Sequence, residues 1–414
     1  MTELRNLLCK FIWTRTTVLF VLVFMLALRP DNDTGKGDNG SGMPGTDAVT
    51  IFMCGDVMTG RGIDQILPHP GSPQLHEVYV KNARRYIEIT EQVNGKIHRP
   101  VSNTYIWGEA LTELDRVAPD VRIINLETSI TRSNDFWPGK GIHYRMHPGN
   151  VSCLNSAKID VCALANNHIL DWGYAGLAET LSSLNEAEIK SAGAGHNLQQ
   201  ASAPALVEVA GKGRVLVFSF GSETSGVPIS WAATDEKAGV NLIKETKEET
   251  FHRIKRKVDE VKQVNDVVVA SIHWGSNWGY HVPNEQRSLA HNLIDHAGID
   301  IIHGHSSHHV KGIEVYNGKL ILYSCGDFLN DYEGIGGHEA FRPDLALMYF
   351  ASVHPLSGKL LRLQMTPTQI KRLQVTLADK NDALWLKETL NREGEKFGTK
   401  VVLDQNNRLV LENT

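Results

Sequence analysis

The chain has no long hydrophobic run. Its longest uninterrupted apolar stretch, Val18 to Leu28, has 11 residues, short of the roughly 20 that a spanning helix needs. It has no charge excess of either sign: 42 Lys and Arg stand against 47 Asp and Glu, a net charge of −5. That balance gives no footprint for nucleic acid and leaves no charged tail. The five cysteines never fall in a CxxC pair, which removes zinc ribbons and thioredoxin-like motifs. No internal repeat is visible. With 42% hydrophobic and 21% charged residues over 414 positions, neither a disordered nor a fibrous chain fits. The length suits two or three domains, or one large α/β domain with additions. What the chain does hold is histidine, 18 in all, and eight tryptophans.

Arg5, Lys10 and Arg15 precede the apolar run, and Arg29-Pro30 closes it. Residues 1–30 therefore read as a signal-anchor or a cleaved signal peptide. The positive flank keeps the N-terminus inside and exports the body. The protein would be single-pass and membrane-anchored, or secreted if the segment is cut. Residues 31–48 are rich in Gly, Asp, Asn and Ser and read as a flexible linker. Asn32, Asn39 and Asn150 stand in glycosylation sequons.

From Val49 onward, short apolar runs alternate with helical patterns. Val49–Cys54, Val121–Leu126, Asp160–Ala165, Val215–Phe220, Val267–His273 and Asp300–His303 read as buried strands. Ile106–Val117, Tyr174–Glu186, Glu245–Val264 and Asn284–Ala297 read as helices. This alternation predicts βαβ units and a largely parallel sheet. A hairpin follows around Gly318, then two antiparallel strands, Leu345–Val353 and Leu360–Met365. Pro68 to Asn103 reads as an irregular insertion. Residues 49–366 form the main domain, and 367–414 extend it with a helix and two short strands. The four cysteines of the body are expected to be mostly free thiols.

Polar residues collect where strands should end, the position at which open α/β sheets bind ligands. Asp56 follows the first strand, Asn125-Leu126-Glu127 ends the second, and Asn166-Asn167-His168 with Asp171 follows the third. His273-Trp274 ends a later strand, and the next runs into His303, His305, His308 and His309, with Asp327 further on. Carboxylate, amide and imidazole groups together suit a divalent cation such as Mn, Zn or Fe, which would polarise an oxygen or acidify a bound water. His168 could donate a proton to a leaving group, with Asp171 orienting it. Arg61 suits a carboxylate or phosphate substrate, or else pairs with a neighbouring acidic residue. Trp274, Trp278 and Tyr280 could stack on a sugar, line a cleft, or simply pack.

At these residues the sequence resembles the bacterial capsule synthesis, or poly-γ-glutamate synthesis, family, whose fold is similar to that of calcineurin-like metallophosphoesterases. The pieces that carry the resemblance are MCGDVMTGR from Met53, INLETSIT from Ile124, ALANNHILDWG from Ala163, SIHWGSNWGY from Ser271, and the run from Asp300 to Phe328. The resemblance implies a four-layer α/β/β/α sandwich. It also implies a metal centre from Asp56, Glu127, Asn167, His273, His305 and His308, with His168 as the acid or a transition-state stabiliser. Departures are visible too. Met58 stands where metallophosphoesterases place the His of Asp-x-His, Glu127 replaces their usual Asp, and Gly326-Asp327-Phe328 replaces Gly-Asn-Phe. Thioether is a poor ligand for such ions. Two functions follow as expectations. One is a metal-dependent hydrolase or transferase acting on a phosphoester or an anionic polymer. The other is a non-catalytic, membrane-anchored accessory subunit of a polymer synthesis and export complex.

Overall fold

The computed structural model describes residues 48–245 and 248–412. The N-terminal segment, most of the linker, Cys9, Asn32 and Asn39 lie outside the described residues. Among the described residues, no helix is long and apolar enough to cross a membrane.

Two large sheets organise a mixed α/β fold. In the first, Val49–Val57 lies beside Val121–Leu126, then Val161–Ala163 and Lys190–Ala192, all parallel. On its other side Leu345–Val353 and Leu360–Ile370 continue the sheet antiparallel. The C-terminal strands Leu409–Leu411 and Val401–Leu403 close that edge, so the tail belongs to the same sheet. In the second sheet Gly213–Ser222, Asp266–His273, Ile301–His305 and Lys319–Leu322 run parallel. Ile313–Tyr316 forms the hairpin partner of the last of these.

Strand alternation decides what each face meets. Ile51 and Met53 share a core with Val217, Val269 and Ile301 of the second sheet. Phe52 and Cys54 point the other way, into a core with Leu114, Leu177 and Leu184 from helices Ala110–Val117 and Gly173–Glu186. The second sheet repeats the arrangement. Phe218, Ala270 and Ile302 pack on Ile254, Val258, Leu289 and Leu293 from helices Glu248–Val261 and Asn284–Ala297. Each sheet thus has one face against the other sheet and one against helices. Each large side chain fully buried in these cores contributes up to about 1.5–3 kcal/mol.

Several local expectations are corrected. The Ile106–Val117 helix is split into a turn, Tyr105–Trp107, and the helix Ala110–Val117. Gly108 makes the break at φ +45°, where a Cβ would meet the Val375 carbonyl at 2.2 Å. The insertion is not wholly irregular: Arg84–Asn94 is a helix that buries Tyr86 and Ile87. Asn150 cannot serve as a glycan acceptor in this fold. It is fully buried, and its amide donates to Asp64 Oδ1 and the His69 carbonyl. Cys54, Cys153, Cys162 and Cys325 are free and buried.

Candidate metal centre

The parallel strands of both sheets deliver their carboxyl ends to one place. Asp56 sits near the end of Val49–Val57, Glu127 just past Val121–Leu126, and Asn167 and His168 in the turn after Val161–Ala163. His273 and His305 end neighbouring strands of the second sheet and are in direct register. Asp56, His273 and His305 each offer a ligand atom within 4.8 Å of the others, and all three are buried. Glu127 lies 3.8 Å from His273 Nε2, and the Asn167 Oδ1 lies 3.1 Å from the same nitrogen.

A chain of hydrogen bonds assigns the state of His305. His303 Nε2 donates to the Cys54 carbonyl at 2.7 Å, so its Nδ1 is an acceptor. The Ser271 hydroxyl donates to that Nδ1 at 3.1 Å, and Ser271 Oγ accepts from His305 Nε2 at 2.8 Å. His305 Nδ1 is left with its lone pair facing the site, 3.7 Å from Asp56 and 2.8 Å from His273 Nδ1. Two imidazoles and a carboxylate are a donor set that fits a divalent cation.

The electrostatics fit it as well. Burial, then the Asp327 charge, raises Asp56 above the usual carboxylate range, against the hydrogen bond from Asn125. Burial raises Glu127 too, helped by Asp56 and Asp327. Burial also holds His273 and His305 well below the usual imidazole value. Without a cation the carboxylates favour protons and the imidazoles favour neutrality; a bound divalent ion would stabilise the carboxylates as anions.

His168 sits at the rim of this group. Its Nδ1 is 2.6 Å from Asp171 Oδ2 and its Nε2 is 3.6 Å from Glu127. Asp171 is further held by the Tyr144 N–H at 2.7 Å and by Lys140. Burial lowers His168 to about 4, against the pull of Asp171. Its resting form is neutral, with Nδ1–H on Asp171 and Nε2 free to accept a proton.

The remaining sequence candidates separate. His308 lies outside the trio. Its Nδ1 is 2.9 Å from Asp327, which Asn330 also holds at 2.8 Å. Burial opposes a proton there, but Asp327 and Asp56 raise His308 overall. Asp327 stands in register beside Asp56 on a parallel strand, Asp327–Leu329. Arg61 is not available to a substrate anion. It is 3% exposed and bound to Asp331, Glu77 and Tyr86. Trp274 is not a stacking platform: it is 1% exposed, and its indole donates to the Tyr323 carbonyl at 3.0 Å. Both corrections have one cause, burial by partners far away in sequence. Sequence reasoning also missed Lys140, Ser271 and Asn330 as site members. Asn330 stands three residues after Asp327, a usable signal, whereas Lys140 lies in a loop, Trp137-Pro138-Gly139-Lys140, that carries none.

Comparison with known proteins covers the segment that holds these residues. The family model "Bacterial capsule synthesis protein PGA_cap" matches residues 50–332. A protein of Mycobacterium tuberculosis H37Rv named "Probable polyglutamine synthesis accessory protein" is 49% identical over 364 residues, 88% of this chain and 96% of its own length. The "PGA biosynthesis protein CapA" of Bacillus subtilis is 26% identical, covering 78% of this chain and 73% of its own. The "Capsule biosynthesis protein CapA" of Bacillus anthracis is 27% identical over 68% of this chain and 60% of its own. With the matched model spanning every residue of the centre from Asp56 to Asp327, the chain belongs to the PGA_cap family of bacterial capsule synthesis proteins.

Proposed function

We propose that this protein serves the synthesis of an anionic poly-amino-acid polymer as an accessory protein that works through a divalent-metal centre. The observation that carries the reading is the convergence of Asp56, His273 and His305 from two sheets. Asp56, His273 and His305 would hold the ion, with Glu127 near them and the Asn167 amide oxygen accepting from His273 Nε2. Such an ion supplies Lewis acidity toward a phosphoryl or acyl oxygen. The chain's own residues do the rest. His168 Nε2 accepts a proton from a nucleophile, and Asp171 fixes the tautomer that makes this possible. Lys140 keeps Asp171 ionised. The layer order described above supports a four-layer α/β/β/α sandwich of metallophosphoesterase type. Export and anchoring through residues 1–30 are part of the same proposal and rest on the sequence.

Metal content by mass spectrometry tests the reading. Wild type should retain one or two equivalents of Mn, Zn or Fe, and His305→Ala and His273→Ala should lose them while keeping the wild-type circular dichroism spectrum. No binding by wild type after reconstitution with any of the three would defeat it.

A second reading, a non-catalytic accessory subunit, draws on Met58. Two residues past Asp56, where a metal-binding imidazole would be expected, it is buried, with Tyr332 Oη 3.6 Å from its sulfur. Export supported by all metal-ligand variants would favour it.

A further inference from the structure

Beside His308 the surface opens into a cleft of about 440 Å³, inside the range of about 300–1,000 Å³ common for small-molecule sites. Its walls come from segments far apart in sequence. Val78 and Tyr79 belong to the insertion, Ile142 to the loop after Lys140, and Ile335 and Pro343 to the segment after the Asp327 strand, with Trp278 on the remaining side. Val78, Tyr79, Ile142 and Ile335 are all exposed large apolar side chains. Scattered singly they would need no explanation; gathered round one opening they do.

The charges decide what can enter. Among the described residues, Arg61 is the one Lys or Arg lining the cleft, and Asp331 and Glu77 already neutralise it. His308 is bound to Asp327, and the His338 ring stacks on Trp278 at 3.7 Å. A run of carboxylates would lose hydration here and meet no free cation among the described residues. A hydrocarbon would gain by covering the apolar walls. The cleft adjoins the centre through His308, which lines it and is bonded to Asp327, the register partner of Asp56.

We propose that this cleft receives the alkyl portion of an amphiphilic ligand whose anionic head lies at the metal centre. The head-group half rests on the metal reading above; the cleft half stands independently of it. The substrate is then a chain-bearing phosphoester or acyl compound, and the bare polyanion is not what the cleft selects.

Isothermal titration on the full chain tests this with three probes below their micellar concentrations: ethyl phosphate, octyl phosphate and uncharged octyl glucoside. Each is titrated with Mn present and after chelation. Octyl phosphate should bind at least about 30-fold more tightly than ethyl phosphate, since six more methylenes are in part removed from water. Ile335→Asp and Val78→Asp lie at exposed positions that folding tolerates. Each should cut that preference below threefold and leave ethyl phosphate unaffected. Octyl glucoside should bind with or without metal and lose binding in both variants. Equal affinity for octyl and ethyl phosphate overturns the cleft, as does a preference that survives both substitutions. Octyl glucoside binding without any Mn-dependent ethyl phosphate binding supports the cleft and defeats the metal reading. Mn-dependent ethyl phosphate binding without an octyl advantage does the reverse.

Discussion

Ser271 Oγ accepts from His305 Nε2 at 2.8 Å while its own proton goes to His303. One hydroxyl therefore chooses which nitrogen of His305 faces the candidate ion. Removing it frees the ring to rotate or change tautomer, as loss of an outer partner of a metal-binding histidine does. Ser271→Ala should lower divalent-metal affinity about 10–100-fold with the fold retained. Competition against a chromophoric chelator measures it, and an unchanged affinity would refute the relay.

Asp171 gathers three donors: His168 Nδ1, the Tyr144 N–H and Lys140. It is fully buried, so its loss leaves Lys140 without its charge partner. Asp171→Ala should cost about 3–5 kcal/mol, the range for breaking a buried pair from one side. Adding Lys140→Met should restore part of that loss, because the stranded cation is gone. Urea midpoints of the two single variants and the double variant measure the coupling. A single-variant loss under about 1 kcal/mol would show that the network is not what holds this turn.

Glu113 ties helix Ala110–Val117 to the C-terminal hairpin through Arg408, at 2.9 and 3.2 Å, and to Arg116 and Thr366. Burial opposes its ionisation, but these hydrogen bonds win and lower it from 4.5 to about 2. A depressed folded-state value gives stability that is complete above the unfolded value and fades as pH falls toward the folded one. Wild type should exceed Glu113→Gln by about 1–2 kcal/mol near pH 6, after allowance for solvent screening. The gap should close between about pH 4.5 and pH 2. Denaturation at a series of pH values checks it, and a gap independent of pH would be the contrary result.

The legible parts of this molecule were those set by local pattern. Short continuous apolar runs marked the central strands, and their ends marked Asp56, Glu127, Asn167, His273 and His305 as neighbours, because parallel strands deliver their carboxyl ends to one edge. The illegible parts were decided by contacts across the chain. Arg61 looked like an anion binder because Asp331, its partner, is 270 residues away. Trp274 looked like a platform because nothing local says that Tyr323 covers it. Lys140 was invisible for the converse reason: a solvated loop lysine and one folded onto Asp171 have the same local sequence.

Gly55 sets the last prediction. A Cβ there would lie 1.7 Å from the Gly326 carbonyl oxygen, the atom that accepts the Asp56 N–H at 2.9 Å. No rotamer change relieves that contact, because a Cβ is fixed to its backbone and the atoms it meets are backbone atoms of Gly326 and Cys325. The absence of a Cβ is what lets strands Val49–Val57 and Asp327–Leu329 close on each other and bring Asp56 beside Asp327. Gly55→Ala must push them apart, break that hydrogen bond and move Asp56 away from His305. We expect a loss of about 3 kcal/mol or more, the scale of severe core overpacking, together with loss of bound metal. Gly141→Ala is the control, since nothing lies within 4 Å of a Cβ at that position. Equal stability of the two variants in urea would mean that the strands can separate without consequence, and that the Asn125 amide and the Ser306 N–H suffice to hold the Asp56 carboxylate.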